Sequence, residues 1–206
     1  MREPVPTALP DGIGAATLYE AAGRRGALDP AVRRRVGVAL AGPALPVACA
    51  AGDNLAVHRA VAVAAPGEVL VVAGAGVAVG YLGDVLAVAA QARGVAGAVV
   101  DGGVRDLREI DELGFGLWAR HVAMAGATKR TPGAVGEPVV CGGVLVRRGD
   151  WVVADEDGVA VVPRDDVPAV LDAARRRQEA EERMKRELLG GALTLDLLGL
   201  RADAEA

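Results

Sequence analysis

Apolar positions recur along the chain with two periods, and these predict an alternation of helices and strands. "TALPDGIGAATLYEAAGRRGAL" has helical spacing and predicts a helix from about Ile13 to Arg24, with Asp11 near its start and Gly26 near its end. "VGVALAGPALPVACA" alternates like a strand and carries a proline bend, and "DNLAVHRAVAVAAPG" returns to helical spacing until Pro66-Gly67 stops it. There follow a buried strand in "EVLVVAGAG", a helix in "GDVLAVAAQARG", a strand in "VAGAVVDGG", a helix in "VRDLREIDELG" and a short strand in "GLWARHV". Such a βαβαβ alternation predicts an α/β protein whose parallel or mixed sheet is covered by helices.

After Lys129 the pattern changes. "PVVCGGVLVRRGDWVVADEDGVAVVP" holds three β-rich runs separated by turn residues, which predict hairpins or a small barrel-like subregion. The last segment, "DDVPAVLDAARRRQEAEERMKRELLGG", predicts a long charged helix whose apolar stripe (Val167, Val170, Leu171, Ala174) fades after about two turns. Its second half is either a solvated face laced with ion pairs or a surface resting on a neighbouring subunit, and its length favours oligomerisation. The chain therefore divides into one α/β domain, 1–165, and a C-terminal helical arm, 166–206.

Composition narrows the class. Of 206 residues 52% are hydrophobic but only 2% aromatic, so Val, Ala and Leu must build the core, and 28 glycines supply tight turns. The net charge of −4 gives no basic footprint for nucleic acid. Cys49 and Cys141 lie in apolar runs and read as reduced core residues rather than a disulfide, and with His58 and His121 as the only histidines no Cys/His metal cluster can form. "MREPVPTALP" lacks the apolar core of a signal peptide, and every apolar run is broken by Gly, Pro or charge. The expectation is a cytoplasmic protein that does not enter a membrane.

Two segments offer chemistry. "VVAGAGVAVG" invites a dinucleotide reading, but Gly74, Gly76 and Gly80 have the wrong spacing and no helix starts at the loop, so no nucleotide is expected. The stronger set is Asp84, Arg105 and Asp106. Asp84 follows Gly83 at a helix start, where the free amides of Val85 and Leu86 favour an anion, and Arg105-Asp106 opens the next helix from an equivalent turn after Gly102 and Gly103. Such turns share the carboxyl edge of an open sheet, where ligands bind. Two carboxylates suit Mg²⁺ or Mn²⁺, and a guanidinium suits a carboxylate or enolate oxygen. Spacing alone leaves a second reading open, in which both aspartates cap helices and Arg105 pairs with one of them. Asp101 reads as a turn or capping residue that orients the loop.

An aspartate, twenty residues and then Arg-Asp, set in "GDVLAVAAQARGVAGAVVDGGVRDLREI" and followed by "GFGLWAR", "KRTPGAVGEPVV" and a terminal "LDLLGLR", resembles one family over nearly the whole chain. It is the family of class II 4-hydroxy-4-methyl-2-oxoglutarate (and 4-carboxy-4-hydroxy-2-oxoadipate) aldolases, which includes the regulator-of-ribonuclease-activity A proteins. The resemblance implies a three-layer α/β/α swivelling-type fold with a mixed sheet, assembled as a homotrimer or hexamer with sites between subunits. It implies Mg²⁺ or Mn²⁺ held by Asp106 with help from Asp84, and Arg105 on the keto oxygen of the pyruvyl group. Gly83 and the amides of Val85 and Leu86 would hold the substrate carboxylate, and Glu181 (Glu182 is adjacent) would come from a neighbouring arm. The expected reaction is cleavage of a 4-hydroxy-2-oxo acid to pyruvate, with oxaloacetate decarboxylation as a side activity. No Schiff base is expected, since Lys129 and Lys185 are the only lysines and neither sits in an apolar strand. The alternative is a protein-binding regulator of ribonuclease activity, without catalysis.

Overall fold

A computed structural model describes residues 5–201 of the chain. Part of the N-terminal stretch read for a signal, and the last five positions of the arm, lie outside the described residues. Helix α1 (Ala15–Ala21) leads into strands β1 (Arg33–Val36) and β2 (Leu40–Ala48), then α2 (Leu55–Val63), β3 (Val69–Ala73), β4 (Gly80–Leu82) and α3 (Asp84–Ala92). Next come β5 (Gly97–Val104), α4 (Leu107–Glu112), β6 (Gly116–Val122), β7 (Ala134–Val135), β8 (Val139–Cys141), β9 (Val144–Val146), β10 (Trp151–Ala154) and β11 (Val159–Val162). The arm is α5 (Val167–Leu189) followed by the short α6 (Thr194–Leu197).

This is the α/β class read from the sequence, with a mixed sheet, a β-rich second half and a long C-terminal helix. The main sheet runs β1-β6-β5-β3-β2-β10-β11, with β4 added beside β5 and β7 beside β2. Strands β2, β3, β5 and β6 are parallel, and β1, β10 and β11 join antiparallel. Within β2 the chain changes partner: Leu40–Pro43 pair with β10 and Ala44–Ala48 with β3, which accommodates two prolines that cannot donate a ladder bond. Buried Val, Leu and Ala from β2, β3, β5 and β6 pack under α2, α3 and α4, as the aromatic-poor composition requires. A second cluster lies beneath the β8–β9 hairpin, and a third joins α1 and α5 to β10 and β11. Val167, Val170 and Ala174 of α5 are buried there, with Leu171 packed beside them, as the apolar stripe predicted.

Four expectations need correction. Gly102 and Gly103 are not a turn: β5 runs through them to Val104. They are needed for close approach, because a Cβ at Gly102 would meet the Tyr81 ring at 2.8 Å and one at Gly103 the backbone of Val79. Asp101 is likewise a strand residue; it accepts from Arg120 Nε of β6 at 2.5 Å and from the Gly142 amide beside β8 at 2.8 Å, tying three elements together. Asp11 does not cap α1. Asp155, 140 residues away in sequence, accepts from the Ala15 amide at 2.7 Å instead. Of the two forms expected for the β-rich region, the hairpins are found, β8 with β9 and β10 with β11, but the barrel is not, since β10 and β11 extend the main sheet.

Candidate active site

Parallel strands β4 and β5 are paired through Leu82 and Val104, so their carboxyl ends deliver the two predicted turns side by side. The Arg105 amide donates back to the Leu82 carbonyl at 3.1 Å, and the chain then turns at Asp106, which adopts a left-handed conformation (φ 60°) tolerated by aspartate better than by most side chains. Asp106 stands at the head of α4 but does not cap it. Its Oδ2 reaches across to accept from the Asp84 amide at the start of α3 (3.2 Å) and meets Arg105 Nε at 3.3 Å. The capping reading thus holds in part: Asp106 caps the neighbouring helix rather than its own, and it shares a half-exposed ion pair with Arg105.

Gly83 contributes space. Its backbone is extended, but a Cβ would collide with the Asp106 carboxylate and come within 3.1 Å of Arg105 Nε. Asp84 Oδ1 accepts from its neighbour's amide, Val85, at 2.7 Å, so that amide meets Asp84 rather than facing the cavity alone. The Leu86 amide lies in the first turn of α3, where no intrahelical acceptor exists. Asp84, Val85, Leu86 and Arg105 line one cavity of about 250 Å³.

Asn54, His58 and Lys129 line the same cavity and were not singled out in the sequence. Asn54 is buried and donates through Nδ2 to the Tyr81 carbonyl at 3.0 Å, while Asn54 Oδ1 and His58 Nε2 are buried without a hydrogen-bond partner among the described residues. Burial first, and the charge of Lys129 second, hold His58 below its ordinary pKa, so it is neutral at pH 7. Two buried polar atoms without partners beside a cation mark a place prepared for a polar ligand. A signal was present: Asn54, at the head of α2, and His58 are spaced i, i+4, which places them on one side of the helix.

The other reactive groups lie elsewhere. Burial pushes the thiols of Cys49 and Cys141 up to about 12, and neither is in a disulfide. Glu181 sits on α5, paired with Arg177 at 2.8 Å, and Arg177 also approaches Glu20 of α1; Glu182 pairs with Lys185 at 2.7 Å. This structure does not bring Glu181 to the cavity of its own chain. A larger cleft of about 560 Å³ lies between α1, β11 and α5. Its buried carboxylate, Asp150, is engaged by the amides of Arg147 and Arg164, so that cleft is a feature of packing rather than of chemistry.

The family described as RraA-like, Aldolase/RraA, matches residues 15–161, a span that includes both walls of the cavity. The chain belongs to this Aldolase/RraA family. A Halalkalibacterium halodurans protein provisionally named 4-hydroxy-4-methyl-2-oxoglutarate aldolase is 38% identical over 165 residues, 80% of this chain and 76% of that one. A Thermus thermophilus 4-hydroxy-4-methyl-2-oxoglutarate aldolase is 38% identical over 112 residues, 54% of this chain and 68% of its own. Among solved structures, Streptomyces coelicolor RraAS2, described as an unusual member of the RNase ES inhibitor RraA family, superimposes with a TM-score of 0.74 at 32% identity over 87% of this chain and all of the other.

An Aldolase/RraA site that uses a divalent cation must find its ligands in the donor set present here. The acidic groups here are Asp106, whose carboxylate meets the Asp84 amide, and Asp84, whose own carboxylate stands at the head of α3, and no group of three His, Cys, Asp or Glu side chains assembles among the described residues. All-oxygen donors in such small number suit Mg²⁺ or Mn²⁺, which keep several waters and share their site with substrate, and they do not suit a structural zinc. The residues fit the ion the resemblance implies. No described helix is long and apolar enough to cross a membrane.

Proposed function

We propose that the protein is a divalent-metal-dependent class II aldolase that cleaves 4-hydroxy-2-oxo acids, such as 4-hydroxy-4-methyl-2-oxoglutarate, to pyruvate, and that decarboxylates oxaloacetate as a side reaction. The observation that supports this reading is the meeting of Arg105 and Asp106 at the first turn of α3, where Arg105 and Asp84 line one cavity and Asp106 stands at its edge against the Asp84 amide. Asp106 and Asp84 would hold the cation, which when bound acts as a Lewis acid toward the 2-oxo acid.

The rest of the chemistry falls to the chain. Arg105 places its guanidinium on the keto oxygen, where negative charge develops as the C3–C4 bond breaks and its electron pair moves into the enolate of pyruvate. Asp84 orients a water that takes the proton from the C4 hydroxyl, together with Glu181 supplied by the arm of a neighbouring subunit in a homotrimer or hexamer. The Leu86 amide and the start of α3 receive the substrate's 1-carboxylate. Beyond them, Lys129 faces a second carboxylate at C4, with Asn54 Oδ1 and His58 Nε2 accepting from the substrate hydroxyl or an ordered water. A proton delivered to C3 then releases pyruvate.

The test is pyruvate release from 4-hydroxy-4-methyl-2-oxoglutarate and from oxaloacetate, with Mg²⁺ or Mn²⁺ and then with excess EDTA. Turnover that EDTA abolishes and metal restores is expected; turnover indifferent to EDTA would sink the metal assignment. The likeness to an RNase ES inhibitor family favours one other reading, a protein-binding regulator. Ribonuclease inhibition by a protein that releases no pyruvate with any metal would select it.

A further inference from the structure

The loop that carries Lys129 is fastened to the body by one carboxylate. Asp53, 4% exposed, stands just before α2 and receives four hydrogen bonds. Its Oδ2 accepts from the Thr128 hydroxyl (2.7 Å), the Arg130 amide (2.6 Å) and the Thr131 amide (3.2 Å), and its Oδ1 from the Leu55 amide (3.0 Å). The residues on both sides of Lys129 are therefore tied to one point, and Asp53 itself makes none of its contacts with the Lys129 ammonium. The same carboxylate fixes the first turn of α2, which holds Asn54 and His58.

We infer that Asp53 is a positioning residue which, through Lys129, sets the preference of the site for substrates with a second carboxylate. The inference rests on the aldolase reading above. Only an ionised carboxylate has acceptor capacity for four donors at once; an asparagine would turn two N–H groups toward amides that also donate. With the anchor gone, Lys129 must be ordered when substrate binds, at a cost in affinity for the group it contacts and not in the chemistry at C3–C4. Bonds independent of Asp53 keep the loop in place overall: the Asn54 amide donates to the Thr128 carbonyl (2.9 Å), the Thr128 amide to the Gly52 carbonyl (2.8 Å), and the Arg59 guanidinium to the Pro132 carbonyl (2.7 Å).

The test compares 4-hydroxy-4-methyl-2-oxoglutarate, which has a carboxylate at C4, with 4-hydroxy-2-oxopentanoate, which lacks it. Asp53→Asn should raise KM for the first by about tenfold or more, the worth of a hydrogen bond to a charged group, with kcat nearly unchanged and the second substrate affected far less. Thr128→Val, which deletes one of the four bonds and leaves the backbone untouched, should shift the same ratio by a few-fold, and it carries the test if Asp53→Asn does not fold. The double variant Asp53→Asn/Lys129→Met should be no more impaired than Lys129→Met alone. Equal losses on both substrates, or additive losses in the double variant, would overturn the inference by making Asp53 a purely structural residue. Failure of the unmodified protein to release pyruvate from either substrate would sink the aldolase reading itself, which is a different outcome.

Discussion

The wall that carries Asp84, Arg105 and Asp106 stands on the carboxyl ends of two parallel strands, whereas the wall that carries Asn54, His58 and Lys129 depends on one helix and one loop. In the first, charged groups already satisfy one another: Asp106 meets both Arg105 and the Asp84 amide, and glycines clear the space they occupy. In the second, Asn54 Oδ1 and His58 Nε2 are buried without partners, and order comes from Asp53 beneath the loop. The contrast teaches a division of labour. On the proposed aldolase reading, groups that must hold a fixed geometry while charge moves would be built on rigid strand ends, and groups that recognise the variable end of a ligand on a loop with a replaceable anchor.

The sharpest way to break this contrast is Arg105→Ala. If Arg105 meets the developing enolate, kcat for pyruvate release should fall by roughly a hundredfold or more, the ~2.7–4 kcal/mol that one oxyanion-stabilising group supplies. Near-normal turnover in Mg²⁺ would remove the first wall from the chemistry. A smaller effect is expected from Gly83→Ala, whose new methyl must displace the Asp106 carboxylate. Forcing a group into a packed site costs about 1–3 kcal/mol, so activity should drop while the circular dichroism spectrum stays native. Unchanged kinetics would show that the carboxylate has room to move.

The smallest effect concerns pH and belongs to the second wall. Burial pulls the Asp53 carboxyl upward, but hydrogen bonds from Thr128, Arg130, Leu55 and Thr131 outweigh it and bring its pKa down to about 2, against an ordinary 3.8. A carboxyl lowered in the folded state stabilises the fold fully above the ordinary value, and this contribution is lost as pH falls from about 4 toward 2. Urea unfolding should therefore show the gap between the parent protein and Asp53→Asn closing over that range. A gap that stayed constant with pH would mean that the charge of Asp53 is not what fastens the loop.

The sequence made the first wall legible and left the second obscure, for identifiable reasons. Arg105 and Asp106 follow a long apolar run and open a helix, and Asp84 opens another with clear helical spacing, so all three could be read as helix starts, although the short strand before Asp84 could not. Helices α2, α3 and α5 were legible for the same reason. Strand β1, "RRRV", has no apolar alternation to announce it, and β4 is three residues long and shows only through its pairing with β5. Gly102 and Gly103 mimicked a turn because a residue without a side chain serves equally for a bend and for the close approach of Tyr81 and Val79. His58 and Lys129 are 71 positions apart, and what joins them is Asp53 reaching to 128–131, a long-range contact that no local pattern encodes.

Asp106 has one more consequence, for how such a protein can diverge. Its left-handed backbone favours glycine, asparagine and aspartate, and of these only aspartate bears a charge. A single change to asparagine would preserve the turn and most of the surface while removing the anion at the centre of the site. If Asp106 serves the proposed aldolase chemistry, the scaffold could lose that chemistry in one step and keep its shape, a route by which an enzyme and a purely protein-binding relative could share one architecture.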